Sequence, residues 1–244
     1  MPKEEDDMIP VFVLSVAAVM ILFEVVRGGR KWPQVRGWWG RAFLLNGVQF
    51  LVAYVAVLAW DPWMAQYRLF SVDALGTTGG AIVGYIAITF VFYWWHRARH
   101  QLPFLWRWFH QVHHSPRRIE IITSFYKHPF EIFVNSLMST AIVYFLVGLN
   151  PLTAGYALLL TGLAELFYHW NVKTPHWIGP FFQRPEMHCV HHQTRLHHYN
   201  YADLPIWDIL FGTYRNPRKW DAQCGFDESA ELKLGKMLRG EVVE

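Results

Sequence analysis

The chain has 244 residues, of which 53% are hydrophobic and only 17% are charged, against about 25% charged residues in an average soluble protein. This composition excludes a disordered chain and a collagen-like repeat, and two cysteines, Cys189 and Cys224, are too few for a disulfide framework. The formal net charge of +3 is too small to indicate a nucleic-acid partner, so none is expected.

Five apolar segments of 17 or 18 residues follow one another along the chain, namely 9–26, 43–60, 79–95, 132–149 and 152–168. A helix of this length reaches about 26 Å, which roughly matches the hydrocarbon core of a bilayer. The last two segments are separated only by Asn150-Pro151, so a helical hairpin is expected over 130–168. The pattern predicts an all-α integral membrane bundle of about four to five membrane helices.

The loops between these segments differ in charge. Residues 27–41 contain five Arg/Lys and no acidic residue, and residues 96–128 contain six Arg/Lys and one Glu. Residues 61–75 contain one Arg and two Asp. Because basic loops stay on the cytoplasmic side, 27–41 and 96–128 are predicted there, and 61–75 on the opposite side.

Histidine is unevenly distributed: all thirteen histidines lie between His96 and His198. We therefore expect residues 1–95 to be membrane-anchor helices and residues 96–215 to be the catalytic part, with a histidine-rich helical cap on the cytoplasmic face. Residues 216–244 are expected to form a polar C-terminal tail.

Eight of these histidines form three closely spaced groups: His96 and His100; His110, His113 and His114; and His188, His191 and His192. Residues three and four apart share one face of a helix, so each group presents its imidazoles together. Eight imidazoles exceed the needs of one metal ion and suit two. Imidazole binds Fe, Zn, Cu and Ni, so the ligand type alone does not choose the metal.

The three groups, HRARH, HQVHH and HCVHH in this order, resemble the HxxxH, HxxHH, HxxHH signature of the fatty acid hydroxylase/sterol desaturase family of integral-membrane di-iron oxygenases. The flanking segments are similar as well. They are LWRWFHQVHHSP at 105–116, TSFYKHPFE at 123–131, HWN at 169–171, NY at 200–201 and WDILFGTY at 207–214. The resemblance extends over residues 80–215.

This resemblance implies a centre of two iron ions that uses O2 as co-substrate to hydroxylate or desaturate an unactivated C–H bond of a lipid. It also implies two further ligands, His169 and His197, beside the eight box histidines. Some members have another histidine four residues after the position of His169, where this chain has Lys173.

Four more residues are candidates for the metal surroundings or the substrate path. Glu165, one helical turn before His169, either orients a histidine or is an interfacial carboxylate. His128 either caps the helix that follows it or lines the substrate path. Trp106 either lines that path or belongs to an interfacial aromatic belt, and Asn200 is a candidate through the NY element.

The chain shows no separate redox domain beyond residue 215, so an external electron-donor protein is expected as a partner. The substrate is expected to be a lipid of the bilayer, such as a sterol or a fatty acyl chain, and hydroxylation is favoured over desaturation. The expected location is the bacterial inner membrane, or the endoplasmic reticulum membrane for a eukaryotic chain.

Two alternative functions remain. A zinc-dependent membrane hydrolase would require a catalytic Glu beside the histidines, as in HExxH, and this motif does not occur. A non-enzymatic haem or metal carrier would use one or two axial histidines per haem and would leave most of the eight unexplained.

Overall fold

The computed structural model describes residues 2–243, with only the backbone described for residues 2–10 and 13. The twelve α-helices of this part are α1 (Pro2–Arg27), α2 (Trp38–Leu58), α3 (Asp61–Met64), α4 (Gly76–Gln101), α5 (Pro103–Leu105), α6 (Gln111–His114), α7 (Pro129–Thr140), α8 (Pro151–His169), α9 (Pro185–His191), α10 (Pro205–Leu210), α11 (Glu228–Glu231) and α12 (Leu234–Met237). Residues 2–243 contain no β-strand, only an isolated bridge between Gln193 and Cys224. The predicted all-α fold is confirmed.

Three helical stretches are long and apolar enough to cross a membrane: Trp38–Met64, Asp73–Gln101 and Pro129–Leu146. They contain, or in the last case largely overlap, the predicted segments 43–60, 79–95 and 132–149. No more than a third of each apolar window is buried inside the protein. Their remaining side chains face outward, as expected for helices surrounded by lipid.

The predicted segments 9–26 and 152–168 lie in α1 and α8, which are not among the candidate spans found in the described residues. Helix α8 carries the charged Glu165, and part of the first segment lacks described side chains. Asn150 begins α8 as an N-cap, since its side chain accepts a hydrogen bond from the Thr153 backbone at 3.0 Å.

Helix α8 packs closely along α4 because α4 carries small residues at the contact. A Cβ added to Gly84 would lie 2.7 Å from Leu149 Cδ1 and 3.0 Å from Ala157 Cβ. A Cβ added to Gly80 would likewise lie 2.8 Å from Thr153 Cγ2 of α8. This Gly-x-x-x-Gly spacing is typical of close helix pairs in membranes. It brings the C-terminal ends of both helices, and their histidines, side by side.

The last part of the chain packs onto the histidine region. Phe226, Ala230, Leu234 and Met237 share one buried core with Trp38, Leu45, Val112 and Tyr126. Gly225 has φ +77°, and a Cβ there would lie 2.3 Å from the Pro116 carbonyl oxygen. The segment for which the sequence pattern indicated only polarity therefore forms part of the support of the second histidine box.

Candidate metal centre

Nine histidines converge into two groups of ligand atoms. The first cluster contains His96, His100, His110, His114 and His191, and the second cluster contains His113, His169, His188 and His192. Within each cluster, one nitrogen from every imidazole lies within 4.8 Å of the others. The structure therefore assembles two places where a metal ion can be held.

Each HxxHH box contributes to both clusters. His110 and His114 of the second box belong to the first cluster, and His113 belongs to the second cluster. The third box shows the reverse arrangement, since His188 and His192 belong to the second cluster and His191 to the first. The expectation that one box presents all its imidazoles together is wrong, because successive helical residues point about 100° apart.

Three pairs of Nε2 atoms lie 2.9 to 3.1 Å apart: His96 with His110, His114 with His191, and His169 with His188. Both ring nitrogens of His100 and both of His192 are buried and have no hydrogen-bond partner among the described residues. Buried polar atoms without partners are costly unless another group satisfies them. A cation in each cluster would bind one nitrogen of each of these rings, so the residues fit two metal ions.

The opposite nitrogen of four of the nine rings is anchored by the surrounding backbone. Nδ1 donates to a carbonyl oxygen in four cases: His96 to Tyr201 at 2.7 Å, His191 to Tyr199 at 2.8 Å, His169 to Glu165 at 2.9 Å and His113 to Tyr126 at 3.3 Å. This hydrogen bond fixes the tautomer in which Nε2 is left as the metal-binding atom.

Burial controls the charge of the imidazoles in the second and third boxes. Loss of water lowers the pKa of His110, His113, His114, His188 and His192 well below the ordinary value. The same cause lowers the pKa of His191 to about 3. These rings are therefore neutral at pH 7, which is the form that binds a metal ion.

The Glu131 carboxylate lies beside the first cluster, where it contacts His110. It accepts a hydrogen bond from His110 Nδ1 at 3.1 Å and forms a buried ion pair with Arg99. The sequence pattern includes Glu131 only as the last residue of TSFYKHPFE and predicts no role for it. Its position three residues after His128, on the first turn of α7, could have identified it as a candidate.

Glu165 has two separate contacts. Its backbone carbonyl holds His169, whereas its carboxylate forms an ion pair with Lys127. Both side chains of this ion pair are largely buried. The carboxylate therefore neither orients a histidine nor simply meets water. Lys127, which sequence reasoning did not single out, neutralises Glu165 beside the second cluster.

The remaining candidates lie around the clusters. The ring of His197 lies 5.3 Å from that of His114 and 4.9 Å from that of Trp106, outside both clusters, and its role as a ligand stays a prediction. Trp106 also packs against His100, with ring centroids 5.4 Å apart. His128 caps α7, since its Nδ1 accepts a hydrogen bond from the Phe130 backbone at 3.1 Å.

Asn200 acts on the fold around the third box. It adopts φ +57°, and its side-chain amide donates to the carbonyl oxygens of Met187 and Arg215 at 2.9 and 2.8 Å. Its own carbonyl accepts from Gln183, whose amide also lies 3.2 Å from His188 Nδ1. Asn200 therefore reaches the second cluster only through Gln183.

A cavity of about 340 Å³ begins at the clusters and continues between α2, α4, α7 and α8. We call it the histidine chamber. Its wall at one end includes His96, His110, His113 and His188, and its wall at the other end includes Asp61 and Thr140. Arg99, Lys127, Glu131 and Glu165 also line it. The clusters therefore face a space inside the helical bundle.

A sequence profile of the fatty acid hydroxylase family matches residues 81–213, which include all nine cluster histidines. The chain belongs to the fatty acid hydroxylase family. The matched region begins within α4 and ends after α10, so it contains the whole chamber end at which the histidines meet. The predicted family and the predicted enzyme class, an oxidoreductase of the fatty acid hydroxylase type, are confirmed.

Relatives of known function are similar over different shares of their length. Ornithine lipid hydroxylase OlsE of Rhizobium tropici is 31% identical over 85% of this chain and 67% of its own length. Very-long-chain aldehyde decarbonylase GL1-9 of Oryza sativa subsp. indica is 31% identical over 50% and 49%, respectively. Human alkylglycerol monooxygenase is 28% identical over 67% of this chain but only 35% of its own length. No solved structure matches the chain significantly.

Proposed function

We propose that this chain is a membrane-embedded di-iron enzyme that hydroxylates an unactivated C–H bond of a lipid, using O2 and electrons from a separate protein. The observation that carries the proposal is the pair of histidine clusters, which together offer nine imidazoles, seven buried and two half-buried, at one end of a chamber between membrane helices. We assign one iron ion to each cluster, and we retain His197 as a further ligand or site residue beside the first.

The ligand chemistry supports this assignment. Nine neutral imidazoles can bind two cations without adding negative charge. The positive charge of the metal ions is then not cancelled by their ligands. Two irons, when bound, supply the O2 activation that amino-acid side chains lack. The Nδ1 anchors hold the rings of His96, His113, His169 and His191 in one orientation, and burial keeps bulk water away from the reacting carbon.

Four charged side chains that line the chamber form two ion pairs. Glu131 holds His110 and is neutralised by Arg99, and Glu165 is neutralised by Lys127. We infer that these pairs keep the metal surroundings polar but free of net charge. A substrate chain then meets these four groups as neutralised pairs.

The relatives support hydroxylation of a lipid. Ornithine lipid hydroxylase OlsE and a zebrafish cholesterol 25-hydroxylase-like protein each match this chain over about two thirds of their own length. The relatives include hydroxylases, a monooxygenase and decarbonylases. We propose insertion of oxygen as the reaction, with a lipid of the surrounding bilayer as the substrate.

The two alternative functions fit the clusters less well. Both clusters consist of histidines alone, whereas a zinc hydrolase needs a free carboxylate as general base. The nearest carboxylate to His110 is that of Glu131, which is held by that histidine and by Arg99. A haem carrier would leave seven or more of these nine imidazoles without a role.

We assign the clusters to the cytoplasmic face, residues 1–95 to the membrane anchor and residues 96–215 to the catalytic part. The orientation is inferred from the basic loops 27–41 and 96–128, because basic loops stay on the cytoplasmic side. Arg30 of the first loop reaches the catalytic part, where it forms an ion pair with Glu186 at 3.2 Å. Both loops therefore lie on the same side as the histidines.

The test is to purify the protein in detergent with iron supplied and oxygen limited, and to measure its metals by mass spectrometry. Two irons per chain, followed by reductant-dependent O2 consumption with bacterial lipid extract and a product heavier by one oxygen, are expected. Zinc with lipid hydrolysis, a haem absorption band, or failure to bind two metals after iron reconstitution would each refute the proposal.

A further inference from the structure

A second cavity lies on the outside of the bundle and meets the histidine chamber at one wall. We call it the α4–α8 groove. Its volume is about 450 Å³, and it is lined by Tyr85 of α4, by Leu160, Leu163 and Phe167 of α8, and by Ile178 and Phe182 above them. Tyr168 and Asp203 line both the groove and the chamber. The two spaces therefore share one polar wall, formed by these two side chains.

The wall is close to the metal site. The ring of Tyr168 lies 4.4 Å from that of His188, which belongs to the second cluster. A chain that passes this wall from the groove therefore reaches the clusters at once. From the far end of the chamber it would first pass Asp61, which is hydrogen-bonded to Thr140 at 2.8 Å.

The outer side of the groove is continuous with the surface of a candidate membrane span. Ile82 and Ile86 of α4 point outward beside it. Above the groove, Trp177, Phe181 and Phe182 are 71%, 63% and 57% exposed. Large exposed aromatic side chains next to a membrane helix are typical of the interface between lipid and water. The groove therefore opens toward the bilayer.

We propose that the α4–α8 groove is the port through which the hydrocarbon chain of a bilayer lipid enters the histidine chamber, and that the Tyr168–Asp203 pair is the partition that parts to admit it. This inference rests on the proposed function for the identity of the chamber as the reaction space. Entry of a chain is a binding event, however, and is measured without turnover.

The test uses a matched pair of substitutions on one helix. Leu163 lines the port, whereas Leu159, one turn away on α8, lines a neighbouring groove that shares no residue with the chamber. Leu163→Trp fills the port, and Leu159→Trp adds the same bulk to the neighbouring groove. The full-length protein is placed in phosphatidylcholine vesicles containing palmitic acid with a diazirine near the chain end, irradiated and digested.

Labelling is assigned to single residues by tandem mass spectrometry at Phe125, Glu131 and Ile132 of the chamber wall, relative to the lipid-facing side of α2. Leu163→Trp is expected to lower this ratio at least fivefold, and Leu159→Trp is expected to leave it within twofold of the unchanged protein. Tyr168→Phe removes the hydroxyl group from the partition but keeps the ring, and it is expected to raise the ratio at least twofold. An unlabelled chamber, an unchanged ratio in Leu163→Trp, or no rise in Tyr168→Phe would overturn the proposal.

A variant that blocks the port after folding covers the case in which Leu163→Trp does not fold. Leu163→Cys and Leu159→Cys are purified and modified with pyrene maleimide, since the two natural cysteines are buried. Chamber labelling is expected to fall in the modified Leu163→Cys protein and to stay unchanged in the modified Leu159→Cys protein. Any other pattern would overturn the proposal. Iron content and product formation are measured separately. Turnover that persists when the port is blocked would refute the port but not the proposed function. Chamber labelling that falls when the port is blocked, in a protein without iron or turnover, would refute the proposed function but not the port.

Discussion

The rings of His114 and His192 are stacked, with centroids 4.2 Å apart and planes inclined by only 12°. His114 belongs to the first cluster and His192 to the second. The two clusters are therefore joined by direct contact between their own ligands. We expect a change at one cluster to reach the other through this ring pair.

This contact leads to a prediction for His192→Ala. The substitution removes a ligand candidate from the second cluster and the stacking partner of His114 in the first. We expect bound iron to fall from two ions per chain to one or fewer, and hydroxylation to fall by a factor of at least about 100. Metal content by mass spectrometry checks this. His176→Ala is the control, because His176 is exposed and bonds only the Asn216 carbonyl oxygen. Two irons retained in His192→Ala would contradict the assignment.

Glu131→Gln tests the surroundings of the first cluster. The substitution keeps the size of the side chain but removes the charge that His110 and Arg99 share. We expect a 10- to 100-fold loss of iron affinity or activity, which is the usual effect of changing a partner of a metal-binding histidine. Competition with a chelator measures the affinity. Glu228→Gln, at an exposed ion pair with Arg117, should have no effect.

The melting temperature of Glu131→Gln is measured in parallel, because Arg99 loses its partner as well. A loss of iron affinity in a protein that still melts close to the unchanged temperature would show that Glu131 acts on the metal site. Unchanged affinity would show that the hydrogen bond to His110 has no part in holding the metal.

The Lys127–Glu165 pair is expected to behave as a buried ion pair. Lys127→Met alone leaves the Glu165 carboxylate without its partner, and Glu165→Leu alone leaves the ammonium. Each single change should lower the free energy of unfolding by about 3 kcal/mol. The melting temperature should then fall by about 6 to 12 °C.

The double variant Lys127→Met/Glu165→Leu removes both charges and should recover most of that loss. Thermal unfolding of the three variants in one detergent provides the double-mutant comparison. Additive losses would mean that the two side chains act independently, and the pair would then have no role in neutralising the chamber.

Met237→Ala tests the role of the C-terminal segment. Met237 is fully buried in the core that also contains Val112 of the second histidine box. Truncating a buried methionine costs about 2 to 5 kcal/mol, so both the melting temperature and the retention of iron should fall. Leu232→Ala is the matched control, since Leu232 is 44% exposed, and its effect should stay within about 0.5 kcal/mol. Equal effects of the two substitutions would show that the segment is only a peripheral tail.

Much of this protein follows from local sequence. The lengths of the apolar segments predict three of the membrane helices, because helix length and hydrocarbon thickness are both set by simple geometry. The i, i+3 and i+4 spacing of histidines predicts metal ligands, and the ordered boxes with their flanks predict the family. His128 was expected to cap a helix or to line the substrate path, and the structure shows the cap.

Other features depend on residues that are far apart in the chain. The division of each HxxHH box between two clusters is decided by which rings approach from α4, α8 and α9, and no spacing within one box contains that information. Lys127 meets Glu165 from 38 positions away, and the C-terminal segment packs beneath Val112. The sequence by itself determined which side chains can bind metal. The tertiary structure decided which of them form one cluster, because only packing of separate helices brings their nitrogens within 4.8 Å of one another.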